Sequence, residues 1–441
     1  IVLDKNYRST PEILSVSNSL ISRNEGRIPK QLQAVRPSGQ KPRYRHARSR
    51  AEESDALAGE IAALCEKGMR LSDIAVIYRG NYMSRAIEEA LVRKKIPYEI
   101  YSGTAFYQRR EIKDALSYLR LAVFGDDVSF LRVINVPARG IGKTRQNMLR
   151  EVAESKNVSM LCALRELAEH PLFKGTKARE LLGLLDEAKE FSRENDLADT
   201  LDFLLQRSGY EGYLRLCGNQ DRLDNLNELK ASVREAVDSA GEEVSAEDYL
   251  NGISLITSAD AEDKKECVKL MTVHTAKGLE FPVVFVCCLN EGLFPSRKIR
   301  TREEMEEERR VAYVALTRAE NLLYLSDAEG FDANCGGNLY TSRFLFDIDK
   351  NLLEASGAFS EGHLARSKSH IKKSELSMGI VPASEQRFLF KAGDKVRHPH
   401  FGAGVVLDFG GGAYTVEFES GKTRSVSAAS DLLIPFYERK S

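Results

Sequence analysis

No stretch of this 441-residue sequence is apolar for long enough to cross a bilayer: the longest uninterrupted run, Val283 to Leu289, falls far short of the roughly 20 residues a spanning helix needs. No charged-then-apolar leader opens the sequence either, so nothing argues for export, and a cytoplasmic protein with no membrane partner is expected. Charge of one sign is also missing. Lys and Arg total 64 against 65 Asp and Glu, a net charge of −1, which gives no bulk attraction to nucleic acid, so any such role must rest on local patches. The cysteines number seven, odd and without a C-x-x-C pair, which argues against a disulfide framework or a zinc site. Cys287 and Cys288 lie side by side in the apolar run, as suits buried thiols in a reducing compartment. The histidines show no ligand spacing, so no metal held by this chain's own side chains is expected.

What is present is ordinary for a soluble globular chain: 42% hydrophobic and 29% charged residues, with length for two to four domains. The sequence opens at Ile1 of "IVLDKNYRST", as though a strand were already under way, which suggests a fragment or processed chain. One basic patch stands out. Lys30, Arg36, Lys41, Arg43, Arg45, Arg48 and Arg50 follow one another with no acid between them, either a nucleic-acid contact or a solvated connector.

From Leu71, "LSDIAVIYRGNYMSRAIEEALVRKKIPYEI" reads as strand, helix, strand, the building block of a parallel sheet. The same logic returns late, in "CVKLMTV", the polar turn "HTAKGLEF" and the wholly apolar "VVFVCCL", a run that belongs in the middle of a sheet covered on both faces. "TREEMEEERRVAYVALTRA" reads as a helix and "NLLYLSD" as a further strand. Between Ser102 and Glu266 helical periodicity dominates. An α/β domain with a parallel sheet is therefore expected, interrupted by a mostly helical insertion. Beyond Lys350 the chain turns polar and Ser-rich, as a linker would. The tail from "AGDKVRHPHFGAGVVLDF" alternates in short runs between Gly turns and predicts a small β-barrel.

"PARGIGKT" ends as a phosphate loop ends, with Gly142, Lys143 and Thr144. The first glycine of G-x-x-x-x-G-K-[ST] is replaced by Pro137, which has no N–H to donate and a fixed negative φ. A nucleotide loop is not expected there. A Gly-Ile-Gly turn entering a helix has another use: backbone amides can approach a nucleic-acid phosphate closely, with Arg139, Lys143 and Arg145 supplying charge. A plain helix–helix turn remains the alternative.

Four separated stretches add to this. "NYRST" holds Tyr7 and Arg8, and "TVHTAKGLEF" fills the turn before the central strand, where open α/β sheets bind ligands. "YSGTAFYQRREIKDALSYLR" opens a helix with Arg109, Arg110, Glu111 and Asp114. In "EERRVAYVALTRAE", Val311, Val314, Ala315 and Arg318 fall at i, i+3, i+4 and i+7. That spacing puts the Arg318 guanidinium on the face of buried valines, where it must find an anion, either a ligand's or a structural carboxylate's.

In this order, "NYRS", "EIKDALSYLR", "RGIG", "HTAKGLEFPVVF", "EGLFPS" and "AYVALTRA" resemble the second half of the bacterial UvrD/PcrA/Rep family of superfamily 1 DNA helicases, from Leu3 to about Ile348. The resemblance implies a second RecA-like domain in two parts, 1–101 and 267–350, around a helical insertion at 102–266. A linker at 351–388 and a Tudor-like barrel at 389–441 follow. It implies ATP and Mg2+ as cofactors, with Tyr7 stacking on adenine, Arg8 and Arg318 reaching the γ-phosphate as arginine fingers, and Gly278 and Glu280 near the ribose. Thr272 and His274 would face single-stranded DNA, while Arg139, Gly140, Ile141, Gly142, Lys143 and Thr144 would grip the duplex. No Walker A loop and no acidic Walker B strand end occurs in the sequence, which implies that an upstream RecA-like half of the same protein carries them and that this chain alone does not hydrolyse ATP. Two other readings stand beside an ATP-driven 3′–5′ helicase of repair or restart. A non-catalytic DNA- and partner-binding scaffold has no use for two γ-phosphate cations, and a helicase–nuclease subunit lacks its acidic cluster here. The barrel is either a protein-docking module or a stabilising cap.

Overall fold

The computed structural model describes residues 5–25, 33–240, 244–259, 266–332, 334–378, 390–398, 401–410, 413–419, 421–427 and 433–435. The strand expected at the very start falls partly outside them; Lys5–Asn6 is paired in parallel with Gln33–Ala34.

Seven strands build the main sheet: β1 (Arg43–Ala47), β2 (Ile74–Tyr78), β3 (Tyr98–Ile100), β4 (Val268–Thr272), β5 (Phe281–Val286), β6 (Ala319–Ala328) and β7 (Glu354–Ser356). Their order is β7-β1-β6-β5-β2-β4-β3, and the registered pairs are parallel. The apolar run thus takes the middle of the sheet, and Val283, Val284 and Val286 are at most 1% exposed. A strand of that composition needs cover on both faces. β2 and β3, joined by the Ser84–Arg93 helix, leave between them the place that β4 fills from the far side of the insertion.

The chain divides into two units, Ile1–Arg48 with Cys288–Glu329 and Leu339–Ser441, and Ser49–Cys287 with Gly330–Asn338. In the first unit, the Arg302–Leu316 helix starts at a capping box. Thr301 accepts from the Glu304 N–H at 3.2 Å while the Glu304 carboxylate accepts from the Thr301 N–H at 3.2 Å, two orphan donors satisfied reciprocally. The polar stretch expected as a linker contains a helix, His363–Ser377, with His363, Ser367 and Ile371 buried. Its buried positions recur at i, i+4 and i+8, a narrow stripe that Ser-rich composition conceals.

The tail forms a five-stranded antiparallel sheet, in which Gly402–Gly410 pairs with Lys395–His398 on one side and Ala413–Phe418 on the other. Val396, Val406, Tyr414, Val416 and Phe418 build its small core. Among the described residues no pairing joins its two edge strands.

In the second unit, nine helices among the described residues between Arg110 and Ala259 enclose a core that includes Phe106, Tyr118, Phe130, Leu201 and Leu229. Local signals set their ends. Gly125 at φ 63° and Asn157 at φ 52° close two of them in the left-handed conformation, and Asp126, Ser159 and Asp196 accept from backbone amides at the starts of three others. Glu228, fully buried, accepts from Arg50 at 3.0 Å, Arg85 at 2.8 Å and Asn334 at 3.0 Å. Buried charges persist only when paired in this way.

The basic stretch is not one solvated connector, although Lys41, Arg45 and Arg48 are exposed. Arg43 and Arg45 lie in β1, Arg36 donates to Asn321 at 2.7 Å, and Arg50 is buried against Glu228 and Asp332. Lys30 lies outside the described residues.

Candidate functional site

In the first unit, Asn6 turns the chain by accepting at its side-chain oxygen from the N–H groups of Arg8 at 3.0 Å and Ser9 at 2.9 Å. Ser9 Oγ then donates to the Ala319 carbonyl at 2.6 Å and Thr10 N to that of Glu320 at 3.1 Å. These bonds pin the "NYRS" segment beside the start of β6, where Arg318 immediately precedes the strand. Arg8 Nη1 donates to the Thr317 carbonyl at 3.3 Å; Arg318 Nε donates to the Val314 carbonyl at 3.0 Å, and its Nη2 lies 3.5 Å from Thr317 Oγ1. Two arginines remote in sequence therefore meet at one residue. Tyr7, next to them in the chain, is 70% exposed, a large aromatic face left to solvent.

The route by which Arg318 arrives differs from the one its spacing predicts. The Arg302–Leu316 helix ends before it, with Thr317 as C-cap, and the buried face is Met305, Glu308, Arg309, Ala312, Ala315 and Leu316, while Val311 and Val314 are only half-buried. Two charged residues point inward because each finds a partner. Glu308 accepts from the Ser296 N–H at 3.1 Å, and Arg309 donates to Asp347 at 2.9 Å and Asn24 at 2.7 Å. An apolar pattern alone misplaces a face held by buried polar bonds.

In the second unit, Thr272 ends β4 and begins a tight turn. Its Oγ1 lies 2.9 Å from Thr275 Oγ1, and its carbonyl accepts from Ala276 N at 3.0 Å. Val273 and Ala276 are buried, so His274, Lys277, Gly278 and Glu280 are turned outward and exposed at the carboxyl end of a parallel strand. Gly278 has φ +92° with nothing within 4 Å of the position a Cβ would take. The backbone conformation favours glycine, and the space beside it is open.

The Gly-Ile-Gly turn separates into a buried frame and an exposed edge. Asn135 Oδ1 accepts from the N–H groups of Arg139 at 3.2 Å and Ile141 at 3.1 Å, and Ile141 is fully buried. Arg139 is buried as well. Its guanidinium donates to the Val133 carbonyl at 2.8 Å and the Tyr118 hydroxyl at 2.7 Å, so it holds the turn from within and supplies no charge to a partner, contrary to the sequence expectation. Arg145 is likewise engaged, with the carbonyls of Leu172 at 2.6 Å and Gly140 at 2.8 Å. Gly140, Gly142, Lys143 and Thr144 are exposed, and Gly142 starts the Lys143–Lys156 helix with no side-chain cap. Uncapped amides at a helix start, with Lys143 beside them, suit an anion.

Arg109, Glu111 and Asp114 are structural. Arg109 donates to Asn225 and Ser84 at 2.8 Å each, Glu111 accepts from Asn225 at 2.5 Å, and Asp114 pairs with Arg132 at 2.7 Å. One grouping has no signal in the sequence at all. His46, Glu329 and His363 bring their ligand atoms within 4.8 Å of one another.

A family model described as the UvrD-like helicase C-terminal domain matches residues 1–330. The ATP-dependent DNA helicase PcrA of Staphylococcus epidermidis is 36% identical over 423 residues, 92% of this chain and 57% of that protein. The Staphylococcus aureus protein of the same name is 35% identical over the same shares. The chain thus spans little more than half the length of these relatives. A crystal structure of the C-terminal domain of a possible DNA helicase from Lactobacillus aligns with 80% of this chain and 99% of its own at 11% identity, with a TM-score of 0.32.

Proposed function

Because the chain belongs to the UvrD-like helicase C-terminal domain family, we propose that it is the C-terminal portion of an ATP-dependent 3′–5′ DNA helicase whose turnover needs Arg8 and Arg318. The observation that carries this is the meeting of the two guanidinium groups at Thr317. In phosphoryl transfer the protein has little covalent work to do. Positioning and charge stabilisation dominate, and an arginine finger contributes about 10³–10⁵ in rate. ATP, with Mg2+ held by an upstream Walker-bearing half, would find the exposed Tyr7 ring for its adenine and the two arginines for its γ-phosphate. Glu280 and the open backbone at Gly278 would approach the ribose. Placing the cations in one half and the phosphate loop in another makes hydrolysis conditional on closure, and closure moves two DNA-gripping surfaces relative to each other.

Thr272 and His274 belong, on this reading, to the single-strand track, and Gly140, Gly142, Lys143 and Thr144 to duplex contact. On this reading the chain comprises a RecA-like domain in parts at 1–101 and 267–350, an insertion at 102–266, a linker at 351–388 and a Tudor-like module at 389–441. The test is to join the upstream half and measure ATP turnover with and without single-stranded DNA. DNA-stimulated turnover in the joined protein and none in this chain alone is expected. Steady turnover by this chain at DNA saturation refutes the division of labour, and a joined protein that binds DNA without turnover makes it a scaffold.

A further inference from the structure

His46 lies in β1 opposite Asp327 of β6, and Glu329 follows that strand with its N–H on the Ala47 carbonyl at 3.0 Å. His363 opens the His363–Ser377 helix. The hydrogen bonds around these residues fix where the imidazole protons sit. Asp327 accepts from the Tyr44 hydroxyl at 2.8 Å and the Thr341 hydroxyl at 2.7 Å, and His46 Nδ1 stands 2.9 Å from its Oδ1. A carboxylate only accepts, so Nδ1 carries the hydrogen and His46 Nε2 is left with a lone pair. That Nε2 is buried and has no hydrogen-bond partner. His363 Nε2 lies 3.2 Å from Thr341 Oγ1, whose own hydrogen is given to Asp327, and 3.3 Å from Ser367 Oγ, which already accepts from the Thr341 N–H. A carboxylate only accepts, so His363 Nδ1, 3.0 Å from Glu329 Oε2, carries the hydrogen in the metal-free fold and Nε2 takes that of the Ser367 hydroxyl, while Glu329 Oε1 is 4.0 Å from His46 Nε2.

The unpartnered lone pair of His46 Nε2, the Glu329 carboxylate and His363 Nδ1 thus face one space. A cation there, displacing the Nδ1 hydrogen, satisfies the buried Nε2 that the fold otherwise leaves without a partner. We propose that His46 Nε2, His363 Nδ1 and a Glu329 carboxylate oxygen bind one divalent transition-metal ion that clamps the His363–Ser377 helix onto the ends of β1 and β6. Two imidazoles and a carboxylate suit Zn2+ and its neighbours rather than Mg2+ or Ca2+, which take oxygen ligands. Ligand atoms about 2.0–2.2 Å from Zn2+ lie roughly 3.3 Å apart, so atoms now within 4.8 Å of one another close by at most about 1.5 Å. Asp327 behind His46, and Thr341 and Ser367 behind His363, are the outer hydrogen-bond partners that metal-bound histidines require. Phe359 stacks on His46 with centroids 4.0 Å apart and covers the site, which marks it as structural rather than catalytic.

The test is equilibrium dialysis of the full chain against micromolar Zn2+ followed by metal analysis, with thermal unfolding in parallel. One ion per chain and a raised Tm are expected, with both effects lost in the His46→Gln, His363→Gln double variant and affinity lowered about 10–100-fold in Asp327→Asn. No stoichiometric uptake by the wild type, or retention by the double variant, overturns the proposal. Should the variants fail to fold, X-ray absorption of the Zn2+-loaded wild type decides: two imidazoles with oxygen support it, and sulfur scattering from the free cysteines refutes it.

Discussion

Arg8 donates to the carbonyl of Thr317 at 3.3 Å across 309 positions of sequence, and the Arg318 guanidinium lies 3.5 Å from the same residue's hydroxyl. Thr317 is the C-cap of the Arg302–Leu316 helix, so both cations are referenced to one helix end whose free carbonyls favour positive charge. In the protein joined to its upstream half, Arg318→Ala is expected to lower DNA-stimulated ATP turnover about 10³-fold or more while DNA affinity stays within a few-fold. Arg8→Ala should behave alike, and the double variant should be little worse than either, because groups that act as a unit are not additive. Steady-state turnover and single-strand fluorescence anisotropy measure the two quantities; an equal loss in both removes the finger assignment.

Tyr7 is 70% exposed, so its replacement costs the fold little. Stacking of a base on an aromatic ring contributes about 1–3 kcal/mol. Tyr7→Ala should therefore raise the KM for ATP at least several-fold with a small change in kcat, and Tyr7→Phe should restore it. A fall in kcat at unchanged KM would assign Tyr7 another task.

At the Gly-Ile-Gly turn, neighbouring basic residues should separate cleanly. Lys143 is exposed at an uncapped helix start, and Arg139 is buried on the Tyr118 hydroxyl and the Val133 carbonyl. Lys143→Ala is expected to weaken duplex binding and reduce the slope of log K against log salt by about 1, with unchanged unfolding. Arg139→Ala should lower stability by about 3 kcal/mol or more, since carbonyls and a hydroxyl are left unpaired in the core. Salt-series binding and urea unfolding of both variants would expose the reverse pattern.

Sequence patterning revealed most of the architecture because the strands obey it. "IAVIY" and "VVFVCCL" mark buried parallel strands, and both lie inside the sheet. The turn after β4 was equally legible, since Val273 and Ala276 alternate with exposed His274, Lys277 and Gly278. Legibility fails wherever a charge is buried by pairing. Glu308 and Arg309 turn a helix face inward that hydropathy assigns to water, and Arg139 reads as a surface cation until its acceptors are seen. The grouping of His46, Glu329 and His363 is the extreme case, because residues from two strand ends and a helix start carry no common spacing.

Glu228 offers a measurable consequence of such pairing. Burial pushes its carboxyl up, but the guanidinium groups of Arg50 and Arg85 outweigh this and hold it below the usual glutamate range. A carboxylate whose folded pKa is depressed contributes stability that is complete above the ordinary glutamate value of about 4.3. That stability is lost as pH falls through the lower folded value. Unfolding free energy should therefore be flat in this respect from neutral pH to about 5 and decline below about 4. Glu228→Gln leaves Arg50 with Asp332 at 2.9 Å and Arg85 with Glu89 at 3.1 Å, so the loss at neutral pH should be on the order of 3 kcal/mol, the low end for breaking a buried pair. The discriminating feature is slope: the variant's stability should fall less steeply with acid than the wild type's, because the group that takes up the proton on unfolding is gone. Parallel slopes in urea unfolding between pH 5 and 3 would mean that folding does not shift the titration of Glu228 and that Arg50 and Arg85 are held by their other partners.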